Sequence, residues 1–473
     1  MVKYIRGAIR ICTLFLLLGY GNCFLPQFLP KNSEKVSLKS VAEVVKQVND
    51  FEAVKQFNQF TKSKDRRLSE YQKQAIPIVT SFQPQEYNPH PALRNRHLQT
   101  ILGVYIRDEP GVAYIDENSN TFESLIPVGK AISKAVSGIL DKNFEQVNTF
   151  WDQRERFQTN DGDFFDVDYK FADPDTTDVS NSSSEGLVVI IHGLESNSNS
   201  TLCTNMADAF RENNMDVACI NFRGCSGEPN DTLFMYHAGF TGDLLHFMTE
   251  MEKRRVCAKK PMYISGFSLG SNVVMKCIGD LGIEAVEKFN IRGAAVSGAP
   301  FTLMWHYRQL VDDKFNKAIY AGNLLKSMKS KVDYLTDRFM DGNKDHKVFD
   351  YHKCMEAKTI NEIEDGMIAP IWGFEDEYDY YRKSAALPVV DQIAVPTYVL
   401  NAEDDPFFNK DKFPWEKDAT QGGIAPLKLS RTEHGGHLGH LFHIQENDED
   451  GVPSTSFMPV ELARFIGHVH KSN

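Results

Sequence analysis

Met262-Tyr263-Ile264-Ser265-Gly266-Phe267-Ser268-Leu269-Gly270 joins an apolar run to the helical pattern Val273-Val274-Met275-Lys276-Cys277-Ile278. A strand, a tight turn with glycine two residues either side of a serine, and a helix make the layout of a nucleophile elbow. The turn holds the serine strained at the tip of a sheet, and the glycines let strand and helix come close. Ser268 is then expected to stand with its hydroxyl exposed. A chain with 31 glycines can hold such a pentad by chance, so its partners decide.

A serine hydroxyl is a poor nucleophile at neutral pH and needs a histidine base oriented by a carboxylate. Downstream, Pro396-Thr397-Tyr398-Val399-Leu400 reads as a strand running into Asn401-Ala402-Glu403-Asp404-Asp405-Pro406, and Pro426-Leu427-Lys428-Leu429-Ser430 as a shorter one before His434-Gly435-Gly436-His437-Leu438-Gly439-His440. Ser268, Asp404 and His437 stand in the order nucleophile, acid, base, each after a strand; Asp405 and His434 are the rivals. Upstream, Leu187-Val188-Val189-Ile190-Ile191 has the continuous apolar character of a buried parallel strand. It ends at His192-Gly193-Leu194-Glu195, a loop suited to an oxyanion hole built from the amides of Leu194 and Leu269. His192 either holds that loop or meets a substrate.

At this point the chain resembles an α/β-hydrolase subfamily, the bacterial YheT-type esterases with their eukaryotic relatives, the abhydrolase-domain lipases and plant embryogenesis-associated proteins. The likeness is carried by Leu93-Arg94-Asn95-Arg96-His97-Leu98-Gln99-Thr100, His192-Gly193-Leu194-Glu195, Asn221-Phe222-Arg223-Gly224-Cys225-Ser226-Gly227-Glu228-Pro229-Asn230, Tyr236-His237-Ala238-Gly239, the elbow and Gly435-Gly436-His437. It is collinear from about residue 85 to 470. The resemblance implies a mostly parallel central sheet with helices on both faces, a triad of Ser268, Asp404 and His437, and carboxylic-ester hydrolysis, often on acyl lipids. Ser196-Asn197-Ser198-Asn199 departs from it, since relatives tend to carry more glycine there, and this points to a more polar pocket rim.

The expected organisation is a signal peptide or signal anchor over 1–25, an N-terminal extension over 26–84, a hydrolase core over 85–300 and 391–473, and a helical cap insertion over 301–390. Lys3, Arg6 and Arg10 precede a short apolar run from Ile11 to Leu18, followed by the small residues Gly19, Gly21 and Cys23. That layout fits a cleaved secretory signal, an anchor for membrane association, or an organelle leader. Val41, Val44, Val45 and Val48 give the extension a helical pattern, and Asn160-Asp161-Gly162-Asp163 signals a hairpin. About 90 residues separate two core strands, far more than one crossover needs. Their aromatic residues, Trp305 and Phe315 among them, suggest a cap lining a substrate chamber. Gly373 to Tyr381 reads as a structural return onto the core.

The net charge of −12 argues against nucleic acid and against an anionic membrane face. No Walker motif or G-x-G-x-x-G is present, so no cofactor is implied, and the cysteines lack metal spacing; Cys219 and Cys277 read as small buried hydrophobes. Asn181, Asn199 and Asn230 head glycosylation sequons. The expected activity is a serine carboxylic-ester hydrolase, acting through an acyl-enzyme on apolar esters or lipids without metal. An acyltransferase with the same triad and an inert lipid-binding protein are the alternatives, with His443 and Asp448 the one acyltransferase-like pair near the site. A peptidase is less favoured, because no obvious carboxylate pair in the cap offers a site for a peptide amino terminus.

Overall fold

The computed structural model describes residues 52–89, 94–105, 150–441, 443 and 457–472. The leader and the valine pattern of the extension lie outside these residues, and so does Asp448. The chain divides into two units, Met1–Glu70 and Tyr71–Asn473. In the first, the described residues 52–70 are helical and belong to α1 (Glu52–Ser81). The second holds the sheet, the site and every contact discussed below.

Eight strands form one sheet. They are β1 (Gln153–Gln158), β2 (Phe164–Lys170), β3 (Gly186–Ile191), β4 (Met215–Ile220), β5 (Met262–Phe267), β6 (Ile291–Ser297), β7 (Thr397–Ala402) and β8 (Leu427–Thr432), in spatial order β1-β2-β4-β3-β5-β6-β7-β8. From β4 to β8 all pairings are parallel, while β1 and β2 form the expected antiparallel hairpin, with Gln158 opposite Phe164 and Gly162 at a φ of 83° in the turn. The apolar runs of β3, β4, β5 and β7 are buried throughout, as strands covered on both faces must be. The main helices outside the cap are α2 (Arg96–Tyr105), α3 (Thr201–Arg211), α4 (Gly242–Lys253), α5 (Leu269–Leu281) and, last in the chain, α9 (Phe457–Ser472).

Two apolar cores fill the space above and below the sheet. On one side Phe247, Met248, Val273, Val274 and Ile278 of α4 and α5 pack on Leu187, Val189 and Ile264; on the other, Met206, Phe210, Phe465 and Ile466 of α3 and α9 pack on Val188, Ile190 and Tyr263. Alternate residues of one strand thus enter opposite cores, the period-two consequence of a doubly covered sheet. Residues 301–390 are mainly helical and include α6 (Leu303–Asp312), α7 (Gly322–Phe339), a π-helical turn (Glu364–Ile368) and α8 (Glu377–Ser384). They form a third apolar cluster around Val332, Ile363, Met367 and Tyr380.

The elbow fixes how α5 meets the sheet. A Cβ on Gly270 would lie 2.2 Å from the Ile191 carbonyl oxygen and 2.5 Å from that of His192, both backbone atoms. Gly270→Ala is therefore expected to cost about 3 kcal/mol of folding stability or more, because the neighbouring strand cannot yield. Urea unfolding of the variant beside the parent measures it, and a loss under about 0.5 kcal/mol would contradict this packing.

Candidate active site

Ser268 stands between β5 and α5 with φ 53° and ψ −123°, a left-handed conformation costly for a non-glycine residue. Its amide donates to the Ser297 carbonyl on β6 at 2.9 Å, which helps hold the turn in that shape. Ser268 Oγ lies 2.9 Å from His437 Nε2, and His437 Nδ1 lies 2.8 Å from Asp405 Oδ2. An ionised carboxylate can only accept, so Nδ1 carries the ring proton and Nε2 is left to accept from the serine hydroxyl. His437 is 8% exposed and Asp405 2%, so this chain of bonds is largely out of water.

The acid expected at Asp404 is one residue off. Strand β7 continues in register to Ala402 opposite Thr432, and Glu403 N still bonds the Thr432 carbonyl at 2.7 Å. The chain then turns, so that Asp405 rather than Asp404 meets the imidazole. Asp405 Oδ1 accepts from Phe407 N at 2.8 Å, which fixes the carboxylate plane. Asp404 instead accepts the Gly436 amide at 2.8 Å and lies 3.7 Å from His434 Nδ1. Burial raises its pKa. His434 stays paired with this outer aspartate, away from the serine.

The histidine loop is braced by α2, a role the sequence reading did not assign. His437 N donates to Thr100 Oγ1 at 2.8 Å, Thr100 Oγ1 donates to the Arg96 carbonyl at 2.8 Å, and Leu441 N donates to Gln99 Oε1 at 2.8 Å. Gly436, at φ 58°, lies where a Cβ would meet the Arg96 carbonyl at 2.5 Å. The segment Arg96 to Thr100 thus positions the imidazole. Asn221 and Arg223 are likewise scaffolding. Asn221 Oδ1 accepts Ser198 N at 2.9 Å and its amide donates to Asp168, holding the loop after β3, while Arg223 pairs with buried Asp243 at 2.8 Å.

That loop carries the oxyanion-hole candidates. Leu269 opens α5, where first-turn amides have no intrahelical acceptor, and Leu194 follows β3; both line one cavity with Ser268. Between them His192 is structural: Phe222 N donates to its Nε2 at 3.1 Å and its Nδ1 donates to the Gly193 carbonyl at 2.8 Å. Burial lowers its pKa to about 4, so it stays neutral. Glu195 ties the loop to the cap, accepting from Ser327 Oγ and Lys331 Nζ of α7, each at 2.5 Å, and from Tyr236 Oη at 3.0 Å. Burial pushes its pKa up, but Lys331 and these hydrogen bonds outweigh it and hold the carboxyl below its usual value.

The cavity measures about 910 Å³ and reaches from Ser268 and His437 up into the cap. Its walls are mostly apolar, with Leu303, Leu310, Leu324, Ile360 and Phe407 among them. Among the described residues, no group of acidic, histidine and cysteine side chains is arranged to hold a metal.

A protein-family profile described as Serine aminopeptidase, S33, matches residues 182–417. The "Putative esterase YheT" of Escherichia coli is 27% identical over 347 residues, which cover 71% of this chain and 94% of that protein. The "Medium-chain fatty acid ethyl ester synthase/esterase 2" of Saccharomyces cerevisiae is 27% identical over 54% of this chain and 58% of its own length. The human "Phospholipase ABHD3" is 23% identical over 61% and 66%. The chain is an α/β-hydrolase of the esterase type.

In this α/β-hydrolase the two cap residues expected to touch substrate do not line the cavity. Helix α6 turns Leu303, His306, Tyr307 and Leu310 toward it, the three- and four-residue spacing of one helical face. Trp305 falls off that stripe and sits beside the Arg308 and Lys412 cations. Phe315 is 42% exposed and packs on His97. The return segment does more than pack: Tyr380 and Tyr381 of α8 both reach the cavity wall.

Elsewhere in the hydrolase, Asn230 is buried and donates to Asp163 and to the Phe164 carbonyl, so its sequon is closed in the folded protein. Asn199 stands on the cavity rim. Cys219 and Cys277 are buried, and both thiols are pushed up in pKa by burial. His443 accepts from Asn88 N at 3.1 Å. No helix among the described residues is long and apolar enough to cross a membrane.

Proposed function

We propose that this hydrolase cleaves carboxylic esters with apolar acyl chains through Ser268, His437 and Asp405. The observation that carries the proposal is the continuous hydrogen-bonded line from Asp405 through His437 to Ser268, opening on a largely apolar cavity. Ser268 Oγ attacks the ester carbonyl as its proton passes to His437 Nε2, and Asp405 stabilises the imidazolium. The amides of Leu194 and Leu269 receive the developing oxyanion. The imidazolium then protonates the departing alcohol, leaving an acyl group on Ser268. Water, deprotonated by His437, releases the acid and restores the enzyme. Relatives bearing esterase, monoacylglycerol lipase and phospholipase names support an acyl substrate.

The test is kcat/KM across straight-chain esters of one alcohol, with fluorophosphonate labelling of Ser268 read by mass spectrometry. Burying one methylene contributes about 0.8 kcal/mol, so kcat/KM should rise up to about fourfold per carbon until the cavity is filled. Leu310→Trp should move the optimum to shorter chains, because the indole would occupy the cavity beside α6. A flat series from acetate upward, unchanged in that variant, would exclude an acyl pocket here.

A further inference from the structure

The cavity wall carries two carboxyl groups, and they are in different conditions. Glu195 is neutralised by Lys331 and further bonded by Ser327 and Tyr236. Glu364, on the π-helical turn of the cap, has one recorded partner, the Tyr381 hydroxyl, which donates to Oε2. Its Oε1 has no hydrogen bond among the described residues. The side chain is half-buried, and it lines the same cavity as Ser268. Tyr307 and Tyr380 stand beside it on the wall, but their hydroxyls are engaged elsewhere, Tyr307 with Asn361 and Tyr380 with the Ala238 amide.

A ligand that fills the cavity displaces water from this carboxyl, and an oxygen then left without a donor is costly unless the ligand itself brings one. We infer that Glu364 is a specificity-determining residue that receives a hydroxyl of the substrate, one separate from the reacting ester, so that the preferred substrates are hydroxylated esters. This rests on the hydrolase reading and names the substrate class of the same site. A hydroxyl fits better than an ammonium. Burial, and after it the charge of Glu377, raise the Glu364 pKa to about 7 against the opposing Tyr381 bond, so the carboxyl readily holds a proton and can both accept and donate. A cation would have to leave water for a single, partly ionised partner, the poorest kind of buried ion pair.

The experiment uses the full-length protein and four octanoyl-length esters: ethyl octanoate, its hydroxyethyl and choline counterparts, and the ethyl ester of omega-hydroxyoctanoic acid. At least one hydroxylated ester should exceed ethyl octanoate by about tenfold in kcat/KM, the size of one well-made hydrogen bond. Glu364→Leu should bring that ratio to about one. If orphaning the Tyr381 hydroxyl prevents this variant from folding, Glu364→Leu with Tyr381→Phe removes both polar groups and should give the same ratio. Fluorophosphonate labelling of Ser268 checks that each variant keeps its triad. Equal rates on plain and hydroxylated esters in the parent, an unchanged ratio in the variants, or preference for the choline ester would overturn the inference while leaving the hydrolase intact. A parent that neither labels at Ser268 nor cleaves any of the four would overturn both.

Discussion

A Ser268→Ala protein should lose on the order of a millionfold in kcat toward any ester the parent cleaves, the scale seen when a triad nucleophile is removed. Among the described residues Ser268 Oγ is the hydroxyl bonded to His437 Nε2, so no other is placed to attack the carbonyl in its stead. The fold should tolerate the change. The elbow conformation already belongs to a residue with a Cβ, and the Ser268 amide keeps its bond to Ser297. Urea unfolding should therefore shift by less than about 0.5 kcal/mol, as for substitutions that break no packing, while intact-mass spectrometry shows neither acyl nor phosphonyl adduct. Residual turnover within a hundredfold of the parent, with the fold intact, would remove Ser268 from the mechanism.

The second large effect separates two adjacent aspartates. Asp405→Asn should lower kcat by about ten-thousandfold. The amide would present a donor or a neutral oxygen to His437 Nδ1, so the ring loses both the tautomer that leaves Nε2 free and the charge that stabilises the imidazolium. Asp404→Asn should cost less than about tenfold, because its contact with the site is an accepted bond from the Gly436 amide, which an asparagine carbonyl can also accept. Steady-state kinetics of the two variants on one ester decides it. If Asp404 proved the more damaging position, the turn after β7 would have to be wound one residue differently.

That pair also shows where the sequence stopped being informative. The elbow was legible because three signals coincide: a buried apolar strand, glycines at fixed offsets and a helical run. Strand β3 was legible because a doubly covered sheet demands unbroken apolar character. The acid was not resolved, because β7 runs two residues beyond its apolar stretch: Asn401 and Ala402 keep pairing with β8, and this decides which aspartate turns inward. Trp305 and Phe315 were misplaced for a different reason. Aromatic content marks a helix that packs, but only the direction of each side chain tells which neighbour it packs against, and on α6 the stripe Leu303, His306, Tyr307 and Leu310 excludes position 305. The brace from Arg96 to Thr100 was visible as a motif. Its purpose was hidden, because Thr100 and His437 are 337 residues apart in sequence.

Glu195 belongs to two parts of the molecule at once. Its backbone shapes the turn after β3, at φ 55°, and its carboxylate is fastened to Ser327 and Lys331 overhead. Without the lysine a negative charge would stand unpaired beside the peptide groups proposed to receive the oxyanion. On the proposed mechanism the latch between loop and helix is thus part of the working surface, and cutting it at Lys331 would disturb the site without touching the triad.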